Sequence, residues 1–174
     1  MLHAKDMFHM DTRKQAGFNL LELIIVLALT VVITLIALPS YKLFLDKNNR
    51  TILGDTLNQH IGYARSMSIL QGRAIEVCGS SDATHCDATW EKGWLIQSPS
   101  TREVFLSHTI ESSDRLFWRG NRDSIRFQGN GTLIFGNGTF FLCSAKNTVL
   151  WKYVLSRQGR IREARNKEIT ELCM

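Results

Sequence analysis

The residues whose types and spacing most clearly suggest a chemical role are basic side chains near the end of the chain. Between residues 152 and 167 there are six basic residues and a single acidic one, Glu163. Arginine can bind phosphate oxygens through two parallel N–H groups, whereas lysine acts as a point charge. This segment is therefore a candidate phosphate-binding site, formed by Lys152, Arg157, Arg160, Arg162, Arg165 and Lys167.

The sequence "GRIR" within this tail has a spacing that matters if it is extended. Arg160 and Arg162 would then point the same way, about 6.6 Å apart at roughly 3.3 Å per residue, while Ile161 faces the protein. The two guanidinium groups would form one phosphate-binding edge. The alternative is a solvated basic face, or one neutralised by nearby carboxylates, namely those of Glu163, Glu168 and Glu171.

A second group of arginines lies upstream, in a region with strand character that also contains Trp118. We expect this group to be able to extend the basic surface. The net charge of +5 and the pI near 9.2 are consistent with an acidic partner but indicate nothing about the fold. The members of this second group are Arg115, Arg119, Arg122 and Arg126.

A different chemistry is suggested by Glu22, which lies inside an apolar run from Phe18 to Leu38. At about 1.5 Å per residue the run spans about 31 Å, close to the hydrocarbon thickness of a bilayer. A secretory signal peptide would have a shorter apolar region and a small-residue cleavage site. A carboxylate at this depth costs roughly 2.5 to 3.5 kcal/mol, unless it reaches the headgroups or is paired.

The orientation of this span follows from the charges that precede it. Lys5, Arg13 and Lys14 place residues 1–17 in the cytoplasm under the positive-inside rule, so everything after Tyr41 is expected across the membrane. The four cysteines, at positions 78, 86, 143 and 173, then face an oxidising space.

The N-terminal pattern resembles the class III signal of type IV pilins and type II secretion pseudopilins. It consists of Gly17, Phe18 and Glu22, followed by the apolar run that closes at Pro39 and Tyr41. The resemblance implies that a prepilin peptidase cleaves after Gly17 and methylates the new N-terminus at Phe18. It also implies that Glu22 pairs with the N-terminal amine of a neighbouring subunit during assembly.

Beyond the apolar run, the pattern predicts an amphipathic continuation of the helix over residues 39–72, ending at Gln71 and Gly72. Its apolar stripe is expected to pack on the protein's own sheet. The stripe consists of Tyr41, Leu45, Leu53, Leu57, Ile61 and Ala64.

Short runs separated by turn residues then predict strands. Asn-Gly pairs at 130–131 and 137–138 bracket "TLIF" and give the strongest hairpin signal. The predicted strands are "AIEVC", "GWLIQ", "EVFLS", "SIRFQ", "TLIF", "TFFLC" and "VLWKYVLS".

Four downstream segments narrow the resemblance to minor pilins and pseudopilins of the GspH/FimT type, closest to FimT. They are "VCGSSDATHCDATWEKGWLIQ", "IRFQGNG", "FFLC" and "LSRQGRIR". The implied fold is α+β and type IV pilin-like, with a long N-terminal transmembrane and amphipathic helix packed on a C-terminal antiparallel β domain. The expected organisation is a leader at 1–17, a transmembrane segment at 18–38, the amphipathic helix at 39–72 and a periplasmic or extracellular β domain at 73–174.

The cysteines allow three pairings. Cys78 and Cys86 flank a polar loop of seven residues that is easy to close, which leaves Cys143 for Cys173. A zinc site using Cys78, His85 and Cys86 is the rival, but these ligands have a poor spacing and no second pair follows them.

No nucleophile elbow or phosphate-binding loop is found, so we expect neither enzymatic activity nor a metal or cofactor.

The resemblance to FimT implies DNA capture through the tail during natural transformation. The alternative is a structural minor pilin or type II pseudopilin that primes filament assembly, and a weaker one is binding of anionic lipid or surface polymer. Expected partners are DNA, other minor and major pilins, the prepilin peptidase and inner-membrane lipid, with the chain anchored in a bacterial inner membrane.

Overall fold

The protein is described by a computed structural model that covers residues 19–135, 137–164 and 173. One helix, α1, runs over Leu20–Gln71. It ends as predicted, because Gly72 adopts a left-handed φ of 62° and its N–H donates to the Ile69 carbonyl at 3.3 Å. The chain divides into two compact units, Met1–Lys47 and Asn48–Met174.

The first unit contains the apolar part of α1, which is long and apolar enough to cross a membrane. Its leucine, isoleucine and valine side chains are exposed, as a surface facing lipid would be. The hydroxyls of Thr30, Thr34 and Ser40 donate to carbonyls one turn back, so these polar groups are satisfied within the helix. Glu22 lies in the first turn and is exposed.

The second unit contains eight strands in two four-stranded antiparallel sheets. The first sheet has the order β3-β2-β1-β5, and the second has the order β4-β6-β7-β8. The strands are β1 (Ile75–Gly79), β2 (Gly93–Gln97), β3 (Val104–Thr109), β4 (Arg115–Gly120), β5 (Ser124–Phe127), β6 (Gly138–Cys143), β7 (Val149–Leu155) and β8 (Ile161–Glu163).

A single apolar core joins the end of α1 to both sheets. Leu57, Ile61 and Ala64 are fully buried and meet inward side chains such as Trp94 and Phe140. Polar contacts fix the same packing. The indole N–H of Trp151 donates to the Arg50 carbonyl at 3.1 Å, and that of Trp94 donates to His60 Nδ1 at 3.1 Å.

The predicted apolar stripe of α1 is confirmed within the second unit, where Leu57, Ile61 and Ala64 belong to the core and Leu53 packs against it. Tyr41 and Leu45 are exposed, at 61% and 38%. Within the second unit, Arg50 and Gly54 also contact the second sheet: the Arg50 carbonyl accepts the Trp151 bond, and Gly54 lies against the Tyr153 ring.

Six of the seven predicted strands are present, and "TLIF" is the exception. Gly131 makes a turn, after which the segment pairs with the end of β5 through an isolated antiparallel bridge between Phe127 and Leu133. The Ile134 N–H donates to the Arg126 carbonyl at 3.1 Å, and the Gln128 N–H donates to the Thr132 carbonyl at 2.8 Å. The Leu133 N–H points away from β5 and donates to the Arg157 carbonyl at 3.0 Å, so the segment bonds both to the first sheet and to the β7–β8 turn. Strand β4 is not among the predicted strands, because arginines near both of its ends interrupt the apolar alternation.

The disulfides join Cys78 to Cys86 and Cys143 to Cys173, as predicted. The first closes a loop after β1 and uses both sulfurs that the rival zinc site would need. The second ties Cys173 to the end of β6 that pairs with Arg115 and Val149.

Candidate nucleic-acid interface

The predicted basic tail begins with the β7–β8 hairpin. Its turn closes at Ser156, whose N–H donates to the Arg160 carbonyl at 2.8 Å and whose hydroxyl accepts from the Arg160 N–H at 3.2 Å. Gly159 supplies a left-handed φ of 73°, which this tight turn requires. The turn is therefore a defined structure that holds Arg157 and Arg160 at fixed backbone positions.

The two-residue alternation predicted for "GRIR" is present. Ile161 is half-buried and packs against the apolar core, whereas Arg160 and Arg162 on either side of it are exposed. In the β7–β8 register, Arg162 lies opposite Val154. The burial of Ile161 thus orients both arginines outward.

The hairpin turn packs on a second turn and on the end of α1. A Cβ added at Gly159 would lie 2.6 Å from the Gly131 carbonyl oxygen and 3.1 Å from Arg65 Cδ. Arg65 Nε also donates to that Gly131 carbonyl at 3.1 Å. The backbone of Gly129 in the same turn lies against Gly72 and the Arg73 N–H.

Four arginines from three segments therefore lie around these turns, and we call them the basic end. Arg73, Arg157 and Arg160 are exposed, and Arg65 is half-buried. Sequence reasoning missed Arg65 and Arg73, since they read as ordinary basic residues near a helix C-terminus, where cations are favourable. The basic end consists of Arg65, Arg73, Arg157 and Arg160.

The outer face of the second sheet continues this positive surface. Lys152 Nζ lies 5.2 Å from the centroid of the Phe141 ring, and the Arg119 guanidinium lies at the same distance from that ring. Arg119 and Arg162 belong to one cross-strand row, three strands apart, or about 14 Å at the usual spacing. Arg115 lies on the same face, over Phe117.

Tyr153 adds no negative charge to this region near neutral pH. Burial raises the pKa of its hydroxyl, and the carboxylates of Glu163 and Asp55 raise it further. The phenol is thus held neutral, and its ring packs edge-on against Trp151, 4.9 Å away.

The second predicted arginine group does not form one cluster. Arg115 and Arg119 lie on the second sheet, whereas Arg126 lies on the first, where it pairs with Glu76 at 3.0 Å. Trp118 packs on Phe140 with ring centroids 4.6 Å apart, and its indole N–H donates to the Arg122 carbonyl. The group is divided because the chain crosses between sheets after β4.

Several predicted site residues fall outside the described part of the chain. They are Gly17 and Phe18 at the leader junction, and Arg165 and Lys167 in the tail. Two of the glutamates proposed as neutralising partners, Glu168 and Glu171, fall there too. Their roles stay predictions.

The family model described as "Type II transport protein GspH" matches residues 54–159, which is more than half of the chain. The chain belongs to the GspH family. No significant match was found among curated proteins.

The GspH-family domain is also similar to solved structures of the type IV minor pilin FimU from Pseudomonas aeruginosa PAO1. The crystal structure in space group P21 matches with a TM-score of 0.62 and 22% identity, covering 75% of this chain and 99% of that one. The structure in space group P65 matches with a TM-score of 0.57 and 24% identity, covering 69% and 96%. These matches show the type IV pilin fold.

Together, these findings make the chain a minor pilin or pseudopilin of the type IV pilin-like class. Members of this class are structural proteins that assemble with other pilins. The comparisons do not separate the FimT branch from the rest of the family, so that assignment stays a prediction.

Proposed function

We propose that this protein is a minor type IV pilin that binds DNA without sequence specificity and captures it for uptake during natural transformation. The observation that supports the proposal is the β7–β8 hairpin, in which half-buried Ile161 packs against the core and leaves Arg160 and Arg162 exposed on either side. Arg157 lies in the same turn, Arg65 approaches it from the end of α1, and the Arg73 backbone lies against the neighbouring turn at Gly129.

Non-specific binding follows from the kind of side chain that is exposed. Guanidinium groups on a tight turn can contact phosphates, and phosphate contacts position a duplex without reading its sequence. Phe117 and Phe141 have cations over their rings. We therefore expect double-stranded DNA of any sequence to bind with a similar, micromolar affinity. The main contacts come from Arg160 and Arg162, with help from Lys152, Arg157, Arg165 and Lys167.

The salt dependence of binding tests this mechanism. If about four phosphates are neutralised, log affinity should fall against log salt with a slope near −3.6, or about a hundredfold between 50 and 200 mM. Changing Arg160→Gln or Arg162→Gln should each reduce the slope by about one unit, for every DNA sequence. Arg160→Lys should recover only part of the affinity, because it restores the charge and not the fork.

A matched control is Lys146→Gln, which removes one exposed positive charge in the turn after β6. This variant should leave both the slope and the affinity close to those of the wild type. If the double change of Arg160 and Arg162 leaves DNA affinity unchanged, the hairpin is not the site. If the wild-type protein binds no DNA at low salt, the DNA proposal is wrong.

A structural role without DNA binding is the second candidate, as a minor pilin or type II secretion pseudopilin that primes filament assembly. It is favoured by the description of the matched family model as a type II transport protein. Cells carrying the hairpin variants separate the two functions. The DNA proposal expects assembled pili and reduced transformation, whereas the structural candidate expects normal transformation wherever pili assemble.

We further propose that the prepilin peptidase cleaves after Gly17 and methylates Phe18, leaving α1 as an inner-membrane anchor with the β domain in the periplasm. The proposal is supported by the family and by the length and composition of the apolar helix. Mass spectrometry should find a mature chain that begins at methylated Phe18. A Gly17→Leu variant should accumulate with its leader attached, because the larger side chain hinders approach of the protease to the backbone.

A further inference from the structure

The second unit has an exposed aromatic ring that the phosphate contacts described above do not use. Phe135 is 46% exposed, and the Arg122 guanidinium lies 4.7 Å from the centroid of its ring. Among the phenylalanine, tyrosine and tryptophan side chains described from residue 48 onward, Tyr63 on α1 is the other exposed one, at 38%. The Phe135 ring is therefore open to a binding partner.

Hydrogen bonds from neighbouring side chains fix the backbone of both residues. Asn121 Nδ2 donates to the Phe135 carbonyl at 3.0 Å, and the Trp118 indole N–H donates to the Arg122 carbonyl at 2.8 Å. Trp118 is itself packed on Phe140. A partner therefore finds the ring and the guanidinium already in place, which reduces the ordering cost of binding.

The charges around Phe135 indicate the kind of group that fits there. Phe135 and Arg122 line one pocket of about 230 Å³ together with Ser124 and Arg126. Glu76 pairs with Arg126 at 3.0 Å, and the exposed Asp123 directly follows Arg122 in the chain. Two cations and two carboxylates leave this region close to neutral, so a flat, uncharged ring suits the pocket better than an anion does.

The segment that carries Phe135 also contacts the β7–β8 turn. The Leu133 N–H donates to the Arg157 carbonyl at 3.0 Å. Phe135 follows two residues later, so its Cα lies at most about 7 Å from that of Leu133. This distance corresponds to roughly two nucleotides, at about 3.4 Å each along one strand. A single DNA strand can therefore reach both the hairpin turn and the Phe135 ring.

We propose that the Phe135–Arg122 pair stacks on an unpaired base of single-stranded DNA whose phosphates are held by the hairpin. The inference rests on the proposed DNA function and adds a contact that an intact duplex, with its bases stacked inside, does not make. Every base has a π-face, so the contact is not sequence-specific, and the guanidinium adds a cation–π interaction.

Fluorescence anisotropy of the full chain in detergent, with three DNA probes of equal length, tests this contact. The probes are a mixed-sequence single strand, the corresponding duplex, and a strand in which every base is replaced by a base-free sugar. The wild type should bind the single strand about tenfold more tightly than the base-free strand, which is within the range for one stacked base. Both strands should show the same salt slope, because they carry the same number of phosphates.

Phe135→Leu is the decisive variant, because it keeps an apolar side chain and removes the flat ring. It should lower the affinity for the single strand to that for the base-free strand. The duplex affinity and the salt slope should not change, which also shows that the hairpin is still folded. Phe135→Tyr should restore the affinity, and Tyr63→Ala, which removes the other exposed ring, should change none of the three affinities.

The outcomes separate this contact from the DNA function on which it rests. If the wild type binds the single strand and the base-free strand equally well, the stacking site is wrong and the hairpin proposal stands. If no probe binds, both are wrong. Equal weakening of all three probes by Phe135→Leu would mean an indirect effect and would overturn the stacking site. Loss of Phe135→Leu from filaments, with unchanged strand affinity, would assign the ring to a partner pilin instead.

Discussion

Gly159 connects the packing of the hairpin turn to its function, and replacing it by alanine tests that connection without removing a charge. Its φ of 73° costs an alanine about 1–2 kcal/mol. The new Cβ would also lie 2.6 Å from the Gly131 carbonyl oxygen and 2.9 Å from Phe127 Cε1. Because one of these neighbours is backbone, the turn has to move, and we expect a total loss of about 2–4 kcal/mol in the free energy of unfolding.

This loss converts into a melting temperature for the second unit, Asn48–Met174. With an unfolding entropy of about 2.1 cal/mol/K per residue, 2–4 kcal/mol lowers Tm by roughly 7–15 °C. The matched control is Gly62→Ala on α1, where an added Cβ meets nothing within 4 Å. A helical glycine replaced by alanine should gain up to about 1 kcal/mol, or roughly 4 °C.

Thermal unfolding followed by circular dichroism, with DNA binding measured well below both midpoints, provides the assay. Gly159→Ala should melt lower and bind DNA more weakly, since Arg157 and Arg160 are displaced from Arg65. Gly62→Ala should melt slightly higher and bind DNA normally. Equal melting temperatures for the two variants would refute the packing of this turn, and normal DNA affinity in a destabilised Gly159→Ala would separate the turn from the site.

Three further predictions concern the anchor, the tail and the response to pH. The Glu22→Ala variant should insert into the membrane but fail to enter filaments, since the partner for a neighbouring N-terminal amine is lost. Normal filaments on immunoblots of sheared pili would support the alternative in which Glu22 only reaches the lipid headgroups. Removing the Cys143–Cys173 disulfide, whose cysteines are 30 positions apart, should cost about 3–4 kcal/mol in denaturant unfolding, and an unchanged midpoint would contradict the chain-entropy argument. Burial lowers the pKa of His60, with a further contribution from His108, and burial also lowers the pKa of His108. Below pH 6.5 the folded state therefore binds fewer protons than the unfolded state, so Tm should be highest above pH 6.5 and fall as the pH drops below that value. A Tm that rises on acidification would contradict this prediction.

Features that depend on neighbouring residues could be predicted from the sequence. The end of α1 at Gly72 follows from a glycine after an apolar periodicity, and the outward direction of Arg160 and Arg162 follows from the two-residue period around Ile161. Both are local, because backbone sterics and strand geometry act over a few residues. The cysteine pairing was also accessible, since a short loop between Cys78 and Cys86 leaves one pairing for the others.

Features that depend on strand order were not accessible. Arg65 meets Gly159 although 94 positions separate them, and Arg126 was assigned to the arginine group of β4 when it pairs with Glu76 on the other sheet. The segment "TLIF" bonds to two partners, since the Ile134 N–H donates to the Arg126 carbonyl of β5 and the Leu133 N–H donates to the Arg157 carbonyl of the β7–β8 turn, and the local hairpin signal could indicate only the first of these contacts.

The sequence by itself thus determined the type of most elements, the face that their side chains take and the chemistry available on that face. Only the tertiary structure decided which faces meet. It brought Arg65 to the hairpin turn, and it placed Arg126 on the first sheet beside Glu76. The physical reason is that strand order is selected by burial of the whole apolar core at once, and this non-local sum leaves no signature in any short window of residues.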